Sequence, residues 1–299
     1  ASDVYKRQLY NHPNREENEK LFIDSLLEVL DNGGVVLIPS FAVGRSQEIM
    51  CVLAKYDVSY PIYLDGMARI ISEFTLQYKE MIRNQRLFYK ACSMVRKINL
   101  GIIGLGFIGK VHLRNCLNIK SAKVVAAADI SKRALKYAQE FGVKQLFTDY
   151  RELLKQPNID AVIISLPTYL HAPCAVNAAE EGKHIFLEKP LARNLKEGKE
   201  IISAVKKHNV KLMVGYPLRY SKEFVNLKKQ IENGTLGDIQ TAYAVNIAAG
   251  PFFHRAERMI PHPIPEWWLN RELTGGGALI DLGSHMINLT RWYFGEIVN

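Results

Sequence analysis

The sequence predicts an α/β protein whose central part is a doubly wound parallel sheet. From about residue 97 to residue 216, apolar strand-like runs alternate with amphipathic helical segments, which is the pattern of repeated βα units. A glycine-rich turn, GLGFIG, joins the first of these strands to the first helix. The 299 residues are 48% hydrophobic and 23% charged, as in ordinary globular proteins, and a chain of this length can form two domains.

The distribution of charge and the cysteine content indicate which ligands and which cellular compartment suit the chain. The net charge of +9 lies entirely behind residue 95, because residues 1–95 hold 11 basic and 12 acidic residues. The basic residues are scattered through amphipathic helices such as LKEGKEIISAVKKHN, which indicates a solvated surface that tolerates anionic ligands rather than a nucleic-acid-binding surface. Four isolated cysteines and the lack of a membrane-length apolar run indicate a reduced, cytoplasmic protein.

The sequence before residue 94 predicts two different segments, a short tail and an α/β fragment. Residues 1–8, ASDVYKRQ, have no helical or strand period, and Asp3 to Gln8 correspond to a translated sequencing-library adapter, so we expect an adapter-derived tail. Residues 9–93 predict an α/β fragment with a helix over EENEKLFIDSLLEVLDNGG, a buried strand VVLIPS, a helix GRSQEIMCVLAKY and a strand YPIYLDG. The apolar face expected on the first helix comprises Leu21, Phe22, Ser25, Leu26, Val29 and Leu30.

Two stretches of this fragment, VLIPSFAVGRSQE and PIYLDGMA, resemble the β-CASP region of metallo-β-lactamase-fold RNA nucleases. The resemblance implies RNA cleavage with two zinc ions, held mainly by an HxHxDH cluster. Residues 1–95 contain one histidine, His12, so we predict no metal site there. By the same resemblance, Arg45 and Glu48 are expected to be structural or to face RNA.

The central elements follow in order. The segments INLGIIGLG, AKVVAAAD, DAVIISLP, HIFLEKP and KLMVGY predict strands, separated by helices that cover both faces of the sheet. After Tyr216 the alternation ends. SKEFVNLKKQIENGTLG predicts a helix and DIQTAYAVNIAAG an extended edge strand, and a Pro-, His- and Trp-rich loop precedes the apolar helical stretch GGGALIDLGSHMINLTRWYFG.

The glycine-rich turn is the first candidate binding site in the sequence. Gly104 permits a tight turn, Gly106 lets a pyrophosphate approach the backbone, and Gly109 lets the helix pack on the strand. The pyrophosphate is expected at the helix N-terminus, which begins with Phe107 and Ile108.

Asp129, twenty positions after Gly109, suits the ribose hydroxyls of NAD and opposes a 2′-phosphate. The polar and basic residues that follow it leave NADP open as the alternative: Ser131, Lys132 and Arg133.

Two further groups of residues lie where parallel strands end, the edge at which open α/β sheets bind ligands. Pro167, Thr168 and His171 follow one buried strand, and Glu188 and Lys189 end the next. We expect all five to contact the cofactor. A lysine at a buried strand end is suited to proton transfer, because burial disfavours its charge.

Asp281 and His285 stand four apart in the last apolar helical stretch and therefore share one face. His285 is the candidate base for a hydroxyl proton, with Asp281 binding substrate or tuning charge. We expect all three of Lys189, Asp281 and His285 to be catalytic.

The triplet EKP, the PxxxH element and GGGALxDxGxH, in this order, resemble the glucose–fructose oxidoreductase, inositol dehydrogenase and MocA family over residues 96–299. The resemblance implies a Rossmann domain at 94–216, contact of Lys189 with nicotinamide and substrate, and a cis Lys189–Pro190 bond. It also implies a substrate domain at 217–299 with an open antiparallel sheet, which is cut short here. Homo-oligomers through that sheet are therefore doubtful.

The same resemblance implies a sugar, inositol or polyol substrate. Lys189, Asp281 and His285 are then expected to bind that substrate, together with Arg219 and an aromatic wall at Trp268. Asn288 stands where many members have an acidic residue, which leaves the particular substrate undetermined.

Met94 resembles the original start of such an oxidoreductase, so we predict a chimera joined near residue 93. The favoured function is NAD(P)-dependent hydride transfer, impaired by truncation. The alternatives are an RNA-processing fragment without its metal site and a noncatalytic protein that binds cofactor.

Overall fold

The computed structural model of the protein describes residues 14–41, 43–64, 66–78, 80, 82–119, 121–247 and 265–297. It divides into two units, Ala1–Lys97 and Ile98–Asn299. The predicted tail at residues 1–8, His12 and most of the Pro- and His-rich loop lie outside the described residues. Within those described ranges, no helix combines the length and the apolar character that a membrane crossing requires.

Helices are the main regular elements of the first unit where the structure describes it. Its helices are α1 (Arg15–Asp31), α2 (Arg45–Lys55), α3 (Gly66–Thr75) and α4 (Gln85–Met94). The side chain of Asn14 caps α1 by accepting a hydrogen bond from the Glu16 amide at 3.0 Å. Ile23 and Leu26 of α1 are buried against Val52 and Leu53 of α2, which form one small apolar core. Met94, the predicted start of the second piece, is thus the last residue of a helix in the first unit.

Three sequence predictions in this unit were wrong. Residues 35–40 form no strand, and Val35 and Leu37 are 93% and 89% exposed, because no described strand lies beside them to complete a ladder. The strand predicted at 60–66 is reduced to one parallel bridge between Ile62 and Val95. The buried face of α1 is also rotated, since Ile23 lies in the core while Leu21 is 66% exposed.

The second unit contains a six-stranded parallel sheet in the order β3-β2-β1-β4-β5-β6, which confirms the predicted Rossmann architecture. Its strands are β1 (Ile98–Ile103), β2 (Ala122–Ala128), β3 (Gln145–Phe147), β4 (Ala161–Ile164), β5 (His184–Glu188) and β6 (Leu212–Gly215). The order reverses between β1 and β4, and such a switch point is where open α/β sheets bind ligands.

Helices cover both faces of this sheet. They are α5 (Phe107–Leu117), α6 (Lys132–Glu140), α7 (Tyr150–Leu154), α8 (His171–Glu180) and α9 (Leu195–Lys207). The neighbouring strand residues Ile102 and Ile103 are fully buried on opposite faces, one with Leu113 of α5 and the other with Ala175 of α8. Each such side chain stabilises the fold by roughly 1.5–3 kcal/mol. The short elements β3 and α7 were not predicted.

Beyond residue 216, the described residues form helices and turns. They are a 3₁₀ turn at Pro217–Tyr220, α10 (Lys222–Glu232), a 3₁₀ turn at Glu266–Leu269, α11 (Arg271–Thr274), one π-helical turn at Leu279–Gly283 and α12 (Ser284–Phe294). The segment predicted as an edge strand has no strand pairing over its described part, residues 238–247, and Tyr243 is 95% exposed.

Candidate active site

The glycine loop between β1 and α5 is built by close packing. Gly104 has a φ of +87°, a conformation that favours glycine, and a Cβ there would lie 2.5 Å from the Ser165 carbonyl oxygen. A Cβ on Gly109 would lie 1.9 Å from the carbonyl oxygen of Gly104. These two glycines therefore hold β1, α5 and the end of β4 together, whereas Gly106, between them, does not pack in this way.

Gly106 faces open space, since a Cβ there would meet no atom within 4 Å. It is the N-cap of α5, whose first backbone N–H groups have no partner inside the helix. Phe107 and Ile108, which begin the helix, have 59% and 42% of their surface exposed. An anion can therefore approach these N–H groups closely, and the loop fits the pyrophosphate of a dinucleotide.

Asp129 follows β2 beside this loop. One carboxylate oxygen accepts a hydrogen bond from the Leu105 amide at 2.7 Å, and the other accepts from the Ser131 amide at 2.8 Å. A carboxylate has about four lone-pair positions, so two remain for ribose hydroxyls. The side chain of Ser131 caps α6, and Lys132 and Arg133 lie exposed in the first turn of that helix.

His171 does not occupy the position expected of a cofactor contact. Its side chain is 1% exposed, and its two ring nitrogens lie 2.9 Å from the Leu166 carbonyl oxygen and 2.8 Å from that of Pro190. Burial holds the pKa of His171 below its ordinary value, although the two carbonyls oppose that shift. The ring therefore bridges the ends of β4 and β5 from inside, and a ligand cannot reach it. Thr168 is also buried, and Pro167 is half-buried.

Glu188 contacts a residue that the sequence reasoning missed. His112 of α5 lies with its Nε2 atom 2.7 Å from one Glu188 carboxylate oxygen, and the backbone amide of Lys189 donates to the other at 3.2 Å. His112 lies three residues beyond Gly109, on the helix that the motif opens. That spacing was the available signal, but the partners stand 76 positions apart in the sequence, and short-range patterns do not reveal such a contact.

Lys189 lies at the carboxyl end of the sheet, where its ammonium forms an ion pair with the carboxylate of Asp281. The Lys189 side chain is 23% exposed and that of Asp281 36%, so both are accessible to a ligand. Asp281 lies in the π-helical turn Leu279–Gly283, a distortion that often marks functional sites. The Lys189–Pro190 peptide bond is cis, as predicted.

His285 lies one turn beyond Asp281, in α12. Burial lowers the pKa of His285 below its ordinary value, and the nearby charge of Lys189 lowers it further, against the opposing effects of Asp281 and Glu188. Its Nδ1 atom is buried and has no hydrogen-bond partner among the described residues. The ring packs edge-on against Tyr216, with centroids 5.8 Å apart. A neutral imidazole at this place can accept a proton.

Arg219 lies in the 3₁₀ turn after β6, next to α12. Its Nη2 donates to the Asn288 carbonyl oxygen at 3.5 Å, and its guanidinium carbon lies 5.6 Å from the centre of the Trp292 ring. Trp268, by contrast, has no hydrogen bond or ring contact to Lys189, Asp281 or His285 in the described part of the chain. The structure thus brings Lys189, Asp281 and His285 together, and it places Arg219 against the helix of His285, at Asn288.

Comparison with known proteins agrees with this arrangement. Residues 98–216 match a family described as an oxidoreductase family with an NAD-binding Rossmann fold, and residues 224–299 match the GFO/IDH/MocA C-terminal domain. From residue 98 onward, the chain belongs to the GFO/IDH/MocA oxidoreductase family. Its Rossmann domain is accordingly an NAD-binding domain, as the glycine loop and Asp129 predicted.

Individual relatives within this family are dehydrogenases. The chain is similar to a myo-inositol 2-dehydrogenase of Thermotoga maritima, at 33% identity over 202 residues that cover 67% of this chain and 56% of the relative. It is also similar to the crystal structure of a scyllo-inositol dehydrogenase from Lactobacillus casei with bound NAD(H) and scyllo-inositol. That similarity has a TM-score of 0.56 and 29% identity, and it covers 67% of this chain and 57% of the other. The chain therefore spans about half the length of the relatives it matches.

The first unit has a different relative. Over 82 residues, the chain is 46% identical to RNase aCSPSF2 of Saccharolobus solfataricus, which covers 27% of this chain and 17% of that protein. This similarity confirms the β-CASP resemblance of the front segment. The described residues contain no cluster of three or more His, Cys, Asp or Glu side chains that could hold a metal ion.

Proposed function

We propose that residues 98–299 are part of an NAD(P)-dependent oxidoreductase that transfers a hydride between nicotinamide and a hydroxyl-bearing carbon of a sugar, inositol or related polyol. The observation that carries this proposal is the grouping of Lys189, Asp281 and His285 at the carboxyl end of a sheet that also presents the glycine loop. The inositol dehydrogenases among the relatives support the substrate class.

The cofactor would be held by the open backbone at Gly106 and by the carboxylate of Asp129. When bound, its nicotinamide ring supplies the group that accepts or donates the hydride. We propose NAD as the preferred form, because the Asp129 carboxylate repels a 2′-phosphate. Lys132 and Arg133 point to NADP as the alternative, and they lie exposed at the start of α6.

The chain's own residues would handle the proton and orient the substrate oxygen. His285 is neutral near pH 7, because its pKa is lowered, and its Nδ1, which bonds to no described residue, would accept the hydroxyl proton. Lys189 would donate a hydrogen bond to the same oxygen and so stabilise the charge that develops on it. Asp281 holds the ammonium of Lys189 in that position through the ion pair.

The test measures NADH formation from NAD with myo-inositol, D-glucose and D-glucuronate, in the full chain and in His285→Gln. We expect the variant to lose roughly 10²- to 10⁴-fold in kcat, because it lacks the base, while NADH still binds. His208→Gln, at the end of the outer helix α9, is the matched control and should keep the full rate. An unchanged rate in His285→Gln would refute the proposed role, and a chain that binds NADH but oxidises none of the three would be a cofactor-binding protein without this activity.

A further inference from the structure

Three polar atoms are buried without a hydrogen-bond partner in one part of the second unit. They are Arg219 Nε, His285 Nδ1 and Asn288 Oδ1, as judged within the described residues. His285 and Asn288 are three positions apart on α12 and so lie on the same side of the helix. Arg219 reaches this helix through its 3.5 Å bond to the Asn288 carbonyl oxygen. Buried polar atoms are nearly always paired, so unpaired atoms on three residues linked by one helix and one hydrogen bond point to a polar ligand on this side of α12.

The charges around this cluster do not balance. The ammonium of Lys189 is paired with Asp281, and Glu188 is hydrogen-bonded to His112. Arg219 forms no ion pair with a carboxylate in the described ranges, and its guanidinium lies over the Trp292 ring instead. A guanidinium is protonated at any physiological pH, so this side of the site has one positive charge that no described side chain neutralises.

Asn288 lies against this cation, since its backbone carbonyl oxygen accepts the 3.5 Å hydrogen bond from Arg219. The amide of Asn288 brings no charge, but its unpaired Oδ1 can accept a hydrogen bond from a hydroxyl group. Arg219 therefore offers a fixed cation, and Asn288 a neutral acceptor, on the side of α12 that also carries His285.

We propose that this site takes a sugar or polyol that carries a carboxylate, such as a uronic or aldonic acid, in place of a neutral one. Arg219 binds the carboxylate, Asn288 accepts a hydrogen bond from a neighbouring hydroxyl, and the hydroxyl to be oxidised faces His285. A guanidinium matches a carboxylate with two parallel hydrogen bonds, which makes it a strong and selective partner. This inference rests on the proposed function and specifies its substrate class.

The experiment compares two probes that share one ring, D-glucuronate and D-glucose, which differ in a carboxylate against a hydroxymethyl group. Each is titrated into the full chain saturated with NADH, where the reduced cofactor cannot accept a hydride from the probe, and nicotinamide fluorescence reports binding. We expect D-glucuronate to bind at least about tenfold more tightly than D-glucose, because a hydrogen bond to a charged group is worth that much. The preference should weaken as salt is added.

Three variants test whether Arg219 and Asn288 cause the preference for D-glucuronate. Arg219→Gln should abolish it, and Asn288→Asp should reduce it by placing a negative charge beside the guanidinium. Arg291→Gln is the matched control, because Arg291 lies on the same α12, is 51% exposed and pairs with Glu296 at the surface. It should keep the full preference. NADH binding by each variant shows that its fold is intact.

The outcomes separate the two proposals. Equal binding of both probes, or a preference that persists in Arg219→Gln, would overturn the carboxylate inference while NADH binding upholds the cofactor site. No NADH binding by a folded chain would refute the proposed function and this inference with it.

Discussion

Burial sets the protonation state of single residues at this site. Both His171 and His285 have pKa values below the ordinary value of 6.5, and in each case burial is the largest cause. Their consequences differ. His171 is enclosed between two carbonyl oxygens and positions the ends of two strands, whereas His285 keeps a nitrogen unpaired beside an ion pair. The same physical effect thus serves packing at one residue and proton acceptance at the other.

A pH experiment on His285 follows. Because the pKa of His285 is lower in the folded state than in the unfolded state, the unfolded chain binds more protons as the pH falls below 6.5. The contribution of His285 to the free energy of unfolding should therefore be fully present above pH 6.5 and fall as the pH drops through that value, and His171 should contribute in the same direction. His285→Gln should reduce the fall between about pH 7.5 and about pH 5, measured by urea unfolding. An identical fall in the variant would show that His285 is not buried in a neutral form.

At the scale of an element, the glycines of the turn from β1 to α5 serve two roles, close packing and access for a ligand. Gly104 and Gly109 allow close packing, while Gly106 leaves a space open in front of the helix. His112, on the same helix, reaches Glu188 at the end of β5 and so connects the cofactor loop to the residue before Lys189. The helix therefore positions both the pyrophosphate cradle and the candidate catalytic lysine.

Two alanine substitutions distinguish the packing role from the ligand-binding role. Gly109→Ala would place a Cβ 1.9 Å from a carbonyl oxygen, so backbone must shift, and we expect a loss of roughly 1–3 kcal/mol or more in the free energy of unfolding. Gly106→Ala places its Cβ in open space and should leave stability nearly unchanged while weakening NADH binding. Urea unfolding and an NADH titration measure the two effects. Equal stability of both variants would contradict the packing role of Gly109.

Sequence patterns predicted the features that depend on neighbouring residues and missed those that depend on residues far apart in the chain. The strands of the sheet, the glycine loop, Asp129 and the i, i+4 pair Asp281 and His285 follow from short-range periodicity and spacing, which one sequence displays. His112 was missed because its partner is far along the chain. The strand at 35–40 was predicted from its apolar, β-branched run, but a strand also needs a neighbour, and propensity alone does not supply one.

At the scale of the whole molecule, the chain joins two units with unlike relatives. Residues 98–299 belong to the GFO/IDH/MocA family, and the front segment is similar to an RNase. We propose that the domains are an adapter-derived tail at 1–8, a β-CASP-like fragment at 9–93, a Rossmann domain at 94–216 and part of a substrate domain at 217–299, with the first two foreign to the rest.

The origin of the join can be tested on DNA. If residues 9–93 and 94–299 come from separate genes, amplification of source DNA across codons 85–100 should give no single product. Amplification within codons 100–290 serves as the positive control. A single natural product that spans the join would refute the chimera and establish a fused gene.

The most direct test of the proposed cofactor site is a titration of the purified full chain with NADH and with NADPH, in which nicotinamide fluorescence reports binding. We expect saturable binding of both or of NADH alone, with NADH the tighter ligand, because Asp129 accepts only two hydrogen bonds from described residues and so keeps lone pairs for the ribose beside the cofactor loop. A Gly106→Trp variant should lose this binding, since its side chain fills the open space. Tighter binding of NADPH would reverse the roles assigned to Asp129 and to Lys132 with Arg133. If a folded chain binds neither dinucleotide, the central claim of a working cofactor site is wrong.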